Sequence, residues 1–95
     1  MDGRSADREV SRRLGRNLWM ARRRAGYSQE ALGARCGLHR TEIGLVEKGG
    51  RLPRVDTLLK LSSALGVGVE KLLEGIEWNP PGTHAGGGFV VRRPA

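Results

Sequence analysis

The side chains best able to do chemistry in this chain are hydrogen-bonding and charged groups strung between Gln29 and Arg54. His39, Arg40, Thr41 and Glu42 come in succession, Gly44 and Leu45 follow, and Lys48, Arg51 and Arg54 trail behind. Set on a helix, Arg40, Thr41, Gly44 and Leu45 share one outward face while Ile43 and Val46, three apart, point the other way. Such a face has a planar cationic fork, a hydroxyl, a carboxylate beside them and an apolar tip, the inventory for lying in a DNA groove. It is not the inventory of a catalyst. The sequence shows no clustered Asp, Glu, His and Cys, no phosphate-binding glycine loop and no nucleophile beside a base. No zinc-ligand spacing appears either, so neither metal nor cofactor is expected. His39 and His84 read simply as a helix-start residue and a linker residue.

Five helices are predicted to position this face. The first begins near Asp7, where Val10, Leu14, Leu18, Ala21 and Ala25 recur at helical spacing with Trp19 flanking the stripe. Between them Arg8, Arg12, Arg13, Arg16, Arg23 and Arg24 form the outer face, and Gly26 is the stop. Gly15 weakens this helix by roughly 1 kcal/mol relative to Ala. Ser28 is an N-cap for a second helix over about 29–36, with Leu32 and Cys36 as its buried line and Cys36 a small core residue. Gly33 sits where two helices would touch. Gly37 supplies the positive φ of a sharp turn, Leu38 plugs it, and the third helix runs from about Arg40 to Lys48. His39 stands where a Ser or Thr cap is expected, so that start reads as poorly capped. Pro53 marks a loop before a fourth helix over 55–65, with Val55, Leu58, Leu61 and Leu65 inward. A short fifth helix spans about 69–74, and Arg54 and Gly68 are weak caps for these last two.

The chain divides into a flexible N-terminus over 1–6, a helical domain over 7–76, and a Pro/Gly-rich tail over 77–95. Within the tail Phe89-Val90-Val91-Arg92 has strand character, either as part of a flexible segment or as an edge strand pairing across a dimer. The fold class expected is all-α, with a C-terminal extended tail able to form a short strand.

Composition supports the same picture. Ninety-five residues with 38% hydrophobic content and 4% aromatics allow one modest aliphatic core. The net charge of +7 favours anionic partners. Residues 1–27 carry eight Arg against three acids, whereas 28–75 are nearly balanced, so the excess lies mainly on the N-terminal segment. No apolar run approaches the roughly 20 residues that span a bilayer, and the N-terminus lacks the apolar stretch of a secretory signal. With one cysteine, the expectation is a reduced, cytoplasmic protein with no membrane partner.

Counting Gln29 as first position, Leu32 is fourth, Gly33 fifth, Cys36 eighth, Gly37 ninth, Leu38 tenth, Ile43 fifteenth and Val46 eighteenth. All eight suit a DNA-binding helix-turn-helix, which needs a turn residue tolerant of positive φ and apolar positions where the helices meet. With Arg22 four after Leu18, the Gly26-Tyr27-Ser28-Gln29-Glu30 entry, Glu47-Lys48-Gly49, Pro53, Thr57–Leu61 and Ala64–Val67, residues 18–73 resemble the Cro and phage-repressor class of XRE-type regulators. The His39-Arg40-Thr41 triplet is similar to the recognition-helix start of restriction–modification controller proteins.

That resemblance implies a five-helix repressor-like domain that binds double-stranded DNA sequence-specifically as a homodimer, a repressor before an activator. It assigns base edges to Arg40, Thr41, Glu42, Gly44 and Leu45, and phosphates to Gln29, His39, Lys48, Arg51 and Arg54. In chemical terms Arg40 would fork onto guanine, Thr41 or Leu45 would touch a thymine methyl, and Glu42 would accept from cytosine or hold Arg40. Arg22 and Glu47 would be a structural ion pair rather than DNA contacts. The expected dimer interface is Leu72, Leu73, Ile76 and Trp78, with Phe89 and Val91. An antitoxin-like or accessory module, binding a protein partner through the tail, is the other reading.

Overall fold

The computed structural model describes residues 3–82 and 86–92, with side chains from Arg8 onward. Residues 1–2, residues 83–85 of the predicted linker with His84, and residues 93–95 lie outside the described residues. Five helices run in order: α1 (Gly3–Ala25), α2 (Gln29–Cys36), α3 (Arg40–Glu47), α4 (Val55–Leu65) and α5 (Val69–Leu72). Two strands follow, β1 (Ile76–Asn79) and β2 (Gly88–Val91).

The helices form where apolar spacing and end signals agree. Ser28 adopts an extended conformation and its hydroxyl accepts from the Ala31 N–H at 2.9 Å, satisfying a donor that the first turn leaves orphaned. Gly37 ends α2 in the left-handed region at φ 71°, which a side chain would strain, and so turns the chain sharply into α3. The core is aliphatic throughout: Leu14 and Leu18 from α1, Leu32 from α2, Ile43 and Val46 from α3, Leu58, Leu61 and Leu65 from α4, and Leu72 from α5. Tyr27, Cys36 and Leu38 pack against its rim. The Cys36 thiol donates to the Lys60 carbonyl, and its pKa is raised chiefly by burial, against the opposing pull of Arg35 and Lys60.

Two glycines set how closely the helices approach. A Cβ on Gly15 would stand 2.3 Å from the Val46 carbonyl oxygen and 2.6 Å from that of Glu47, so α1 meets the end of α3 backbone to backbone. A Cβ on Gly33 would come within 2.5 Å of the Leu38 carbonyl oxygen, so α2 needs that gap to close the turn. Gly33 was legible from its position in the motif. Gly15 was not: one sequence registers the propensity penalty and not the neighbour.

Several expectations are corrected. α1 starts at Gly3 rather than near Asp7, taking in residues assigned to a flexible terminus. Its buried stripe ends in Ala21 and Arg22; Ala25 is exposed, and Trp19 is 44% exposed beneath the Arg23 guanidinium. Val55 is 73% exposed, because it opens α4 before the helix has turned its apolar face to the core. α5 ends at Leu72, and residues 73–75 form a turn.

The tail forms the short strand that the expected fold class allowed it, with a partner strand that was not expected. β1 and β2 pair antiparallel within one chain, Ile76 with Val91 and Trp78 with Phe89, where an edge strand across a dimer or a flexible segment was expected. The Trp78 and Phe89 rings meet edge to face at 5.1 Å between centroids. Arg92 pairs with Glu77, and its backbone N–H donates to the Gly75 carbonyl at 2.7 Å. The end of α5 and the turn that leads into the hairpin are tied back to α1, where Arg13 Nε donates to the Glu74 carbonyl and Asn17 Nδ2 donates to those of Leu72 and Glu74. The predicted boundary at 76/77 therefore cuts through a strand.

Among the described residues no helix is long and apolar enough to cross a membrane.

Candidate nucleic-acid interface

The helix that presents the candidate residues is held mainly from one side. Ile43 and Val46 are each 1% exposed and anchor its inner face. At its C-terminal end Glu47 takes two bonds from Arg22, Nε to Oε2 at 2.6 Å and Nη2 to Oε1 at 3.1 Å. Arg22 also donates through Nη1 to the Tyr27 carbonyl at 2.7 Å, so the guanidinium links α1, the α1–α2 turn and α3. The pair is buried, with side chains 9% and 5% exposed, and its bidentate geometry together with the third bond leaves neither charge stranded. Arg22 is thus a scaffold residue despite its charge.

Gln29 joins the same cluster. Its Nε2 donates to Glu47 Oε1 at 3.0 Å, and its amide lies over Gly44, where a Cβ would sit 3.5 Å from Gln29 Oε1. The expected phosphate contact is therefore a residue already locked to α3, with one amide hydrogen left to donate outward. Gly44 correspondingly makes room for Gln29, and its Cβ position faces that side chain instead of an open groove. As a base reader Gly44 would have only backbone to offer.

The outer face carries the remaining candidates. Arg40 and Thr41 are exposed, Leu45 is 42% exposed, and Glu42 is half-buried. Leu45 points outward, so the apolar residue on this polar face is not part of the core. Arg40 also borders a groove of about 620 Å³ lined by Arg23, Tyr27, Ser28 and Gln29, at the N-terminal end of α2 where free N–H groups converge. Glu42 does not hold Arg40; it pairs with Arg51, Nη1 to Oε1 at 3.3 Å. Lys48 is exposed just past α3, and Arg54 is exposed with Asp56 at 3.5 Å.

The start of α3 differs from the sequence expectation. His39 is a capping residue: its Nδ1 accepts from the Thr41 backbone N–H at 3.1 Å and lies 2.8 Å from Thr41 Oγ1. The imidazole does the work expected of Ser or Thr because its nearer nitrogen reaches the same orphaned donor. Arg54 and Gly68 make no side-chain cap bond, as their types implied.

The hairpin brings Ile76 to Val91 and Trp78 to Phe89, but the predicted interface residues are not equally free to meet a second chain. Leu72 is 0% exposed and belongs to the core, so it cannot meet a second chain without unfolding α5. Ile76 is half-buried against that core, and Val91 lies along α1 beside Glu9, Arg12, Arg13 and Arg16. Leu73 at 37%, Trp78 at 56% and Phe89 at 44% remain exposed.

Among the described residues no group of three or more His, Cys, Asp or Glu could hold a metal ion.

The chain is similar to known proteins in sequence and fold. The helix-turn-helix family model HTH_3 matches residues 20–72. An uncharacterized HTH-type transcriptional regulator of Sinorhizobium fredii, y4dJ, is 35% identical over 76 residues, covering 80% of this chain and 99% of its own length. The restriction-modification controller protein C.AhdI from Aeromonas hydrophila is similar in structure, with a TM-score of 0.64 and 35% identity over 65% of this chain and 94% of its own. The P22 c2 repressor, solved in complex with a synthetic operator, has a TM-score of 0.61 and 31% identity over 65% of this chain and 94% of its own.

Proposed function

The chain belongs to the HTH_3 helix-turn-helix family, and from that premise we propose that it regulates transcription by binding double-stranded DNA sequence-specifically, in the cytoplasm, as a homodimer. The observation that carries the reading is the division of α3 into two faces. One is buried and clamped through Glu47, and the other exposes Arg40, Thr41 and Leu45. A helix held this way enters the major groove as a rigid rod with its first turns on the base edges. Arg40 donates to guanine O6 and N7, Leu45 covers a thymine methyl, and Lys48, Arg51 and Arg54 meet phosphates, with Gln29 and His39 donating from the start of each helix. Kinship with regulators named HTH-type and with a controller protein supports a regulatory role. The P22 c2 repressor supports repression, because it was solved on an operator.

A homodimer is favoured by the small reach of α3. Eight residues contact few bases, and two copies on half-sites about one helical turn (roughly 34 Å) apart multiply specificity. We place Leu73, Trp78 and Phe89 at its interface, since they remain uncovered on one copy. Selection of bound sites from a random duplex pool tests the reading. An enriched motif with two related half-sites is the expected result, and recovery of no motif by the intact protein overturns it.

The exposed Trp78–Phe89 pair equally suits a protein partner held by the hairpin, with DNA binding secondary. Truncation before Pro80 would remove β2 and unsettle α1, so substitution of Trp78 and Phe89 by Ser is the cleaner discriminator. Loss of self-association, read by sedimentation, supports the dimer. Unchanged self-association with loss of a co-purifying partner supports the other reading.

A further inference from the structure

A threonine hydroxyl in a DNA groove is ambiguous, because it offers one hydrogen and two lone pairs and so serves amino and keto groups alike. Thr41 is not free in this way. Its Oγ1 lies 2.8 Å from His39 Nδ1, and the same nitrogen accepts the Thr41 backbone N–H at 3.1 Å. A ring nitrogen that accepts an N–H has no hydrogen of its own, so the neutral imidazole carries its proton on Nε2. The hydrogen left for the short Oγ1–Nδ1 contact is that of the hydroxyl, which points back at the ring and shares the one Nδ1 lone pair with the backbone N–H in a three-centre bond.

We propose that His39 is a specificity-positioning residue that turns Thr41 into a pure acceptor, so that Thr41 selects a base bearing an exocyclic amine, adenine or cytosine, over guanine or thymine. The proposal rests on α3 being the base-reading helix. Thr41 is exposed, and the lone pairs of its Oγ1 are left for an outside donor such as adenine N6 or cytosine N4. Guanine O6 and thymine O4 meet the same lone pairs as acceptor against acceptor. The Nε2–H of His39, exposed at the helix start, is the group left to donate to a phosphate. One side chain thereby caps the helix, fixes a tautomer and sets the polarity of its neighbour. A Ser or Thr cap would satisfy the backbone and leave the Thr41 hydroxyl free to rotate.

Two measurements test this on the intact protein. Long-range proton–nitrogen correlation of the free protein at pH 8 reads the His39 tautomer directly. A bare Nδ1 with the proton on Nε2 is expected, and a proton on Nδ1 overturns the proposal whatever the DNA result. The second measurement takes the duplex recovered by selection and varies each half-site position through all four bases. At the position facing Thr41 the protein should favour adenine or cytosine by roughly three- to tenfold, the size of one net hydrogen bond. Thr41→Val should abolish that preference, and His39→Ser should flatten it while leaving preferences elsewhere in place. A preference unchanged in His39→Ser, with the variant folded by its melting curve, overturns the role of His39. A protein that enriches no duplex at all overturns the DNA-reading conclusion and this one with it.

Discussion

The two ends of α3 are built in opposite ways. Glu47 at the C-terminal end is 5% exposed in its side chain and receives bonds from Arg22 and Gln29, and Gly15 lets α1 press directly on the backbone there. At the N-terminal end His39, Arg40 and Thr41 are exposed, and their bonds with each other stay within three residues. One end sets where the helix lies, and the other sets what it offers. Stability and recognition should therefore separate by mutation.

The largest effect is expected at the clamp. Glu47→Ala leaves the Arg22 guanidinium buried without its carboxylate and removes the partner of Gln29 as well. Breaking a buried pair from one side costs about 3–5 kcal/mol, a large share of the roughly 5–15 kcal/mol that holds a domain folded. Urea unfolding should show it. A midpoint within error of the parent would mean that the clamp does not hold α3 in place.

Gly15→Ala comes next and has a disputed sign. Helix propensity alone predicts a gain of roughly 1 kcal/mol. Packing predicts a loss of about 1–3 kcal/mol, because the new Cβ would lie 2.3 Å from the Val46 carbonyl oxygen and that neighbour is backbone. The same urea titration decides it, and a stabilised variant would show that α1 and α3 can part without harm.

This glycine also marks how far the sequence could be read. α2 and α4 are legible to the residue because Ser28, Gly37, Pro53 and Gly66, the left-handed residue that ends α4, punctuate amphipathic stretches, and the position of Gly33 in the motif exposes its role. Gly15 lies before the matched motif, and its reason is a contact with residues more than 30 positions away. The His39 cap was missed for a related cause, since residue-type preference counts hydroxyl and carboxamide caps and overlooks an imidazole nitrogen with the same reach. Strand β1 was hidden because Trp78-Asn79-Pro80-Pro81 reads as an extended stretch until Phe89 is brought opposite Trp78. Local signals reach the reader, and pairings across the chain do not.

Arg40→Ala probes the exposed end. Its side chain is exposed and forms no ion pair among the described residues, so stability should change by no more than about 0.5 kcal/mol. Affinity for the selected duplex should fall by about 1–3 kcal/mol, with discrimination lost at a single guanine. Fluorescence anisotropy on guanine-substituted duplexes checks this. A uniform loss across all duplexes would instead place Arg40 on a phosphate, which its position beside the α2 groove permits.

The smallest effect falls between the two ends, at Glu42. Its pair with Arg51 spans 3.3 Å with the side chains 33% and 55% exposed, so Glu42→Gln should change stability by no more than about 1 kcal/mol. The informative change is in binding. If Glu42 mainly restrains Arg51, the substitution frees a cation for phosphate and removes a carboxylate from a face that meets a polyanion. Affinity should then rise, and the slope of log affinity against log salt should steepen by about one unit. If Glu42 instead accepts from a cytosine amine, affinity should fall at one base pair and the slope should stay put. We expect the rise, because in the free protein the carboxylate already accepts from the Arg51 guanidinium. A salt titration of parent and variant on the same duplex separates the outcomes, and shows whether the boundary between scaffold and reading face falls before or after Glu42.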